Sequence, residues 1–168
     1  FALESHQKAA HATESKYFDR EILPVEGRNA DGMNDLVMAD EGIRFDASLD
    51  KLAGLKAVTD GGVITAGNAS QITDGAAAVM VCNDAGLKKI QANPRAEIVS
   101  ISVVGDDPVF MLTGPIPASI KALETANLTI DDMDLYEVNE AFAPVPLAWA
   151  KDLKADRSKL NVNGGAMA

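Results

Sequence analysis

The chain has 168 residues, 15 Lys and Arg against 25 Asp and Glu, a net charge of −10, 47% apolar and 24% charged residues. That balance suits one globular domain and excludes general binding to nucleic acid or to anionic membranes, whose phosphates would repel so acidic a surface. The longest apolar run, Ala76–Cys82, is far shorter than the roughly 20 residues a spanning helix needs, and the single cysteine cannot close an intrachain disulfide. A reducing compartment, the cytoplasm, is therefore expected, and no basic and apolar leader opens the sequence.

The predicted elements run as follows. Residues 2–18 read as a helix, rich in Ala, Glu and Lys, with Leu3, Ala10, Tyr17 and Phe18 as apolar anchors. Glu21–Val25 is extended, because Leu23 precedes Pro24. Residues 26–35 are turn chemistry and 36–38 a short strand. Ser48–Leu55 is a short helix with Asp46 or Ser48 as N-cap, and Asp60-Gly-Gly62 a turn. Ala76–Cys82 reads as a strand buried on both faces, Asn83–Gln91 as a helix, and Glu97–Val104 as a β-branched strand. Residues 117–126 form a helix with Pro117 in its first turn, and Asp131 and Asp132 sit where a cap or turn is wanted. Leu135–Val138 is a strand, and residues 140–153 a helix that accommodates Pro144 and Pro146 near its start. Strands alternating with helices define an α/β fold with a mixed or parallel sheet, with weak boundaries near residues 60 and 92–95. Phe1 in place of Met, and an end inside a glycine turn, read as the limits of a piece of a longer chain.

No metal constellation is legible. His6 and His11 stand about 140° apart around a helix and cannot share a ligand face. No Gly-x-Gly-x-x-Gly or P-loop spacing occurs. Cys82 is either a core residue or a reactive thiol, and no His or Lys stands near it to favour the second. Three segments carry more. Thr65–Ala78 places Ser70 in a run of small residues, where a ligand could approach the backbone, although a tight turn into a strand explains the same composition. Tyr136–Ala143 lies where a strand gives way to a helix, the place where α/β sheets bind ligands. Asn139 there either holds a water and stabilises an oxyanion or caps the helix, with Glu140 as a carboxylate in the first turn. Asn161-Val-Asn-Gly-Gly165 is a glycine pair in what would otherwise be a plain turn.

Taken in order, these segments resemble the thiolase family of acyl-CoA:acyl-CoA acyltransferases. The resemblance rests on Glu21-Ile-Leu-Pro-Val25, Asp40-Glu-Gly-Ile-Arg44, Thr65–Ala78, Gly114-Pro-Ile-Pro117, Asn139-Glu-Ala-Phe-Ala143 and Asn161-Val-Asn-Gly-Gly-Ala166, and it runs along nearly the whole chain. It implies a layered αβαβα thiolase-like fold with mixed five-stranded sheets, only part of which is present. Residues 1–59 would end the loop domain, 60–93 would supply the last strand and helix of the N-terminal half, and 94–168 would begin the C-terminal half.

The resemblance also implies roles. Asn139 would hold the catalytic water beside the thioester oxygen, as part of an oxyanion hole. Ser70 would contact the pantetheine arm of coenzyme A. Met111 and Phe142 would line the acyl and pantetheine pocket. Coenzyme A is then a substrate, with no cofactor and no metal. The reaction is thiolytic cleavage of 3-ketoacyl-CoA, or the reverse condensation, through a cysteine acyl-enzyme, with fatty-acid β-oxidation as its setting and a homodimer or homotetramer as its assembly. The segment Pro144-Val-Pro146-Leu-Ala-Trp149 looks more like degradative thiolases of fatty-acid or sterol side chains than like biosynthetic ones.

Two departures qualify the resemblance. The family's nucleophilic cysteine would lie before residue 1, and its Gly-His-Pro histidine and second cysteine after Ala168, so the chain by itself is expected to be inactive and, lacking sheet neighbours for 76–82, unstable. At Leu55–Gly62 the usual Pro and Phe are missing, which bears on how the adenine end of coenzyme A packs. The alternative reading is a non-catalytic thiolase-like protein that binds acyl-CoA or partners another subunit.

Overall fold

The computed structural model describes residues 1–29 and 31–168. Its first element, helix α1 (Ala2–Glu14), buries Ala2, Ser5, His6, Ala9 and Ala12, the i, i+3, i+4, i+7 stripe of an amphipathic helix. The expected apolar anchors are not on that stripe: Leu3 and Ala10 are half-buried and Tyr17 is 55% exposed. The reason is a close approach. Gly164, at φ +84°, lies so near that an added Cβ would sit 2.7 Å from the Ala9 Cβ and from the Ser5 carbonyl oxygen. Only small side chains on α1 leave that room.

The helix also stops earlier than expected. Lys16 adopts φ +61°, and the Tyr17 N–H donates to the Ala12 carbonyl while the Lys16 N–H donates to that of Thr13. This is the Schellman closure, here without glycine. It recurs at Asn127, where the Leu128 N–H donates to Leu123, and at Lys154, where the Ala155 N–H donates to Ala150.

Strands β1 (Val25–Arg28) and β2 (Asn34–Val37) form an antiparallel hairpin with Val25 opposite Val37 and Arg28 opposite Asn34. The residues expected to be turn, 26–28 and 34–35, are thus paired. The connection closes where the Asn29 carboxamide oxygen accepts from the N–H groups of Asp31 and Met33, at 3.1 Å each.

Helix α2 (Leu49–Ala53) is capped by Ser48, which accepts from the Lys51 N–H, while Asp46 instead pairs with the Lys51 ammonium. Thr65 and Asn68 form a capping box around a single 3₁₀ turn, Ala66–Asn68. Helix α3 (Asp84–Ile90) begins at the Asn83 side chain, which accepts from the Gly86 N–H at 2.9 Å.

Two expected strands are not laddered. Residues 76–82 have no strand partner among the described residues, and Val79, Met80, Val81 and Cys82 are exposed rather than buried. Cys82 is therefore not a core residue here. Residues 97–104 keep the alternation of a strand, with Ser100, Ser102 and Val104 half-buried and Ile101 and Val103 exposed, but again pair with no other strand. The Ser102 hydroxyl donates to the Ala118 carbonyl at 2.6 Å, which lays this segment on the next helix.

Helix α4 (Pro115–Ala126) starts two residues before expectation and α5 (Pro144–Leu153) four residues after it. Both begin with proline at the first helical position, where a missing N–H costs nothing. Asn139 is thus no N-cap; that place falls to Ala143, already helical at φ −50° and ψ −37°. The pair α4 and α5 packs over the main core of Tyr136, Val138, Trp149, Ala150 and Leu160. The Trp149 indole N–H donates to the Ser119 hydroxyl at 2.9 Å, and the Tyr136 and Trp149 rings stand 5.3 Å apart at 60°. A second cluster, Ala2, Ala143 and Met167, joins α1 to both ends of the site, and Phe1 packs against both clusters. Among the described residues, no helix is long and apolar enough to cross a membrane.

The exposure of Val79, Met80, Val81, Ile101 and Val103 has a measurable consequence. The 168-residue polypeptide produced alone will bind a hydrophobic dye and aggregate during purification. A monomer that stays soluble and melts cooperatively would contradict this.

Candidate active site

Three segments converge. The short stretch 68–70 lies antiparallel to 141–143: Ala69 bridges Phe142, the Ser70 N–H donates to the Ala141 carbonyl at 2.9 Å, and the Ala143 N–H donates to the Asn68 carbonyl at 2.9 Å. Ser70 and Phe142, far apart in sequence, are thus neighbours. The Ser70 side chain is exposed and donates to its neighbour's carbonyl, that of Gln71, at 3.3 Å. One residue on, Gln71 ties this stretch to the chain end, its amide donating to the carbonyls of Gly42 at 2.7 Å and Met167 at 3.1 Å.

Residues 136–140 obey the period of an extended chain. Tyr136, Val138 and Glu140 are buried; Glu137 and Asn139 are exposed. Parity alone thus turns Asn139 to the surface and the Glu140 carboxylate inward. The neighbouring run is parallel: the Tyr136 N–H donates to the Lys159 carbonyl and the Asn161 N–H to that of Tyr136, both at 2.9 Å. Asn161 then leaves the ladder at φ +45°. Its carboxamide takes the place of the lost peptide, accepting from the Val138 N–H and donating to the Val138 carbonyl, both at 2.8 Å.

Glu140 is 1% exposed and Asn161 equally so. The Glu140 carboxylate accepts from the Ser5 hydroxyl at 2.6 Å, the Asn161 amide at 2.9 Å and the Met167 N–H at 3.2 Å. Gly165 completes the enclosure. Its N–H donates to the Ser5 hydroxyl at 3.0 Å, and a Cβ there would lie 2.4 Å from the carboxyl carbon of Glu140. The glycine pair exists so that backbone can close over a buried anion.

His6 is the neighbouring titratable group. It is buried, and its Nδ1 accepts from the Arg44 N–H at 3.2 Å, so the ring is neutral with its proton on Nε2. Burial, then the Arg44 charge, lowers its pKa below 6.5, against a smaller opposing effect of Glu140. Glu137, on the Asn139 face, has its carboxyl pushed up by partial burial and then by Glu140, with Lys8 opposing.

Of the four residues singled out in the sequence, Ser70, Phe142 and Asn139 belong to this region. Met111 stands elsewhere. It is 64% exposed, at φ +36°, in the loop before α4, where it lines an open cavity of about 460 Å³ with Ser102, Asp106, Pro108 and Ala118. Neither residue 70 nor residue 142 lines that cavity. Sequence reasoning missed Ser5, Gln71 and the inward turn of Glu140. The signal for Ser5 was available in the Ala2, Ser5, Ala9, Ala12 spacing of small residues. Among the described residues no three His, Cys, Asp or Glu side chains group to hold a metal.

Residues 1–85 match the family model for the thiolase N-terminal domain and residues 92–168 that for the thiolase C-terminal domain. The chain belongs to the thiolase family. It is 48% identical to a steroid 3-ketoacyl-CoA thiolase of Mycobacterium tuberculosis, over all of this chain and 40% of that protein. It is 45% identical to a 3-ketoacyl-CoA thiolase of Aliivibrio fischeri, over all of this chain and 45% of that protein. The crystal structure of the Bacillus anthracis acetyl-CoA acetyltransferase superposes with a TM-score of 0.92 at 42% identity, over 99% of this chain and 42% of that one. Human mitochondrial 3-ketoacyl-CoA thiolase superposes equally well, at a TM-score of 0.92, 43% identity and the same coverage. The fold is therefore a partial thiolase fold, and the chain spans 40% to 45% of the length of these curated relatives.

His6 gives the site a pH dependence. Its folded-state pKa lies below the ordinary 6.5, so the unfolded chain takes up the proton first as pH falls. Stability is full above 6.5 and declines as pH drops toward the folded-state value. Melting temperature against pH in the full-length protein will show this slope, and His6→Asn, which keeps an acceptor for the Arg44 N–H, will flatten it. An equal slope in the variant would contradict the assignment.

Proposed function

We propose that this chain is the central part of a thiolase that cleaves 3-ketoacyl-CoA with coenzyme A, or runs the reverse condensation, through a cysteine acyl-enzyme. The observation that carries the reading is the pairing of 68–70 with 141–143, which lays the exposed Ser70 against the run that carries the exposed Asn139 and the half-buried Phe142. Polar groups and an aromatic ring on adjoining stretches suit a pantetheine arm, which has amides along an otherwise apolar chain.

In this reading Asn139 holds a water beside the thioester oxygen and so stabilises the negative charge that develops there. Ser70 contacts pantetheine, and Phe142 lines the acyl and pantetheine channel; Met111, on a separate cavity, is given no part in it. The nucleophilic cysteine and the catalytic histidine are supplied from outside the 168 residues; Cys82, with no adjacent base, takes neither part. Coenzyme A is a substrate, and neither metal nor resident cofactor is invoked.

Residues 1–59 belong to the loop domain, 60–93 to the N-terminal half and 94–168 to the C-terminal half. The names of the relatives in Mycobacterium tuberculosis and Aliivibrio fischeri support a 3-ketoacyl-CoA as substrate, in the first with a steroid acyl part, and we take the direction as degradative, on a fatty-acyl or steroid side chain. We place the enzyme in the cytoplasm, in β-oxidation, as a homodimer or homotetramer.

Thiolysis of a 3-ketoacyl-CoA by the full-length protein tests the reading. Asn139→Ala will lower kcat by about 10²- to 10³-fold with little change in KM, as expected for loss of one oxyanion donor. Ser70→Ala will raise KM for coenzyme A about fivefold, the equivalent of one hydrogen bond of about 1 kcal/mol. Binding of acyl-CoA without turnover in the full-length protein would instead identify a non-catalytic binding protein.

A further inference from the structure

We propose that Glu140 is a positioning residue, whose buried carboxylate fixes the backbone that presents Asn139 to the thioester oxygen. The proposal rests on the oxyanion role given to Asn139 above and extends it to a residue that touches no substrate.

Its first support is connectivity. Glu140 follows Asn139 directly, and its two oxygens gather Ser5 from α1, Asn161 from the parallel run and the Met167 N–H from the chain end, at 2.6, 2.9 and 3.2 Å. None of these bonds uses the Asn139 side chain, which is left exposed while its two neighbours, Val138 and Glu140, are buried. Asn139 is thus held through its backbone from both sides. Val138 is clamped by both ends of the Asn161 carboxamide, and Glu140 by three donors.

Its second support is chemistry. All three partners act as donors toward Glu140, so the site demands an acceptor on every face. A carboxylate meets that demand and a carboxamide does not, because one of its ends must point an NH₂ at a donor. The third support is space. The chain at Gly165 comes so close to the carboxyl that no Cβ fits there. A carboxylate this enclosed cannot exchange its partners for water, and its position transmits directly to Asn139. Misplacing a reacting group by about 1 Å costs about 10²-fold in rate.

The test is steady-state thiolysis and thermal melting of the full-length protein in five forms: parent, Asn139→Ala, Glu140→Gln, Ser5→Ala, and Asn139→Ala with Glu140→Gln. We expect Glu140→Gln to lower kcat about 10²-fold with KM within about twofold, and Ser5→Ala to lower kcat about tenfold. The double variant should be no slower than Asn139→Ala alone, because a positioning residue has nothing left to position.

A folded Glu140→Gln with unchanged kcat, or a double variant slower by the full product of the two effects, overturns the proposal. Should Glu140→Gln fail to fold, Ser5→Ala decides, since it leaves the carboxylate two partners; an unchanged kcat there also overturns the proposal. Failure of the underlying reading looks different. In that case Asn139→Ala itself keeps full activity, whatever the Glu140 and Ser5 variants do.

Discussion

A single buried anion organises this part of the molecule. Moving a carboxylate out of water carries an effective penalty of several kcal/mol, and only close, well-aimed donors offset it. Glu140 has three of them, from two places far apart in sequence: Ser5 on α1, and Asn161 and Met167 in the 161–168 turn. Hydrogen bonds to charged groups contribute about 1.5–3 kcal/mol each, so the site holds together only when all three segments are in place. The carboxylate is in effect a condition that α1, the 136–140 run and the 161–168 turn must satisfy together. Gly164 and Gly165 are consequences of it, one packed on α1 and the other against the carboxyl itself.

The exposed face follows from the buried one. Successive side chains in an extended run point to opposite sides, so fixing Val138 and Glu140 inward fixes Asn139 outward. The Asn161 carboxamide carries the ladder past the point where its own backbone turns away, keeping both the N–H and the carbonyl of Val138 paired. Residues 68–70 then dock on 141–143 and bring Ser70 beside Phe142. What is inside is acceptor chemistry that locks the backbone. What is outside is a hydroxyl and an amide, with a half-buried aromatic ring on an adjoining stretch.

Much of this was legible in the sequence, in a particular way. The helices over 84–90, 115–126 and 144–153 were visible in the sequence; the first starts at its Asn83 cap as expected, and the starts of the other two are set by proline at the first helical position, two residues before and four after expectation. Asn139 and Ser70 were visible as unusual residues in unusual places. The inward turn of Glu140 is contained in the alternation of Tyr136, Val138 and Glu140, but a helix expected from residue 140 hides that alternation, because the helix starts only at Pro144. The anchors of α1 were misjudged for a related reason. Large apolar residues usually mark a buried face, but here Gly164 requires that face to be small. The strands over 76–82 and 97–104 have strand composition and no ladder, since composition states a preference while a ladder requires neighbours.

The most direct test of this account is a crystal structure of the full-length protein with an acyl-CoA bound. The account predicts the pantetheine arm lying against Ser70 and Phe142, with a water held by the Asn139 amide at the thioester oxygen and the Glu140 carboxylate still bonded to Ser5, Asn161 and Met167. An acyl-CoA seated elsewhere, with Asn139 remote from the thioester, would contradict it.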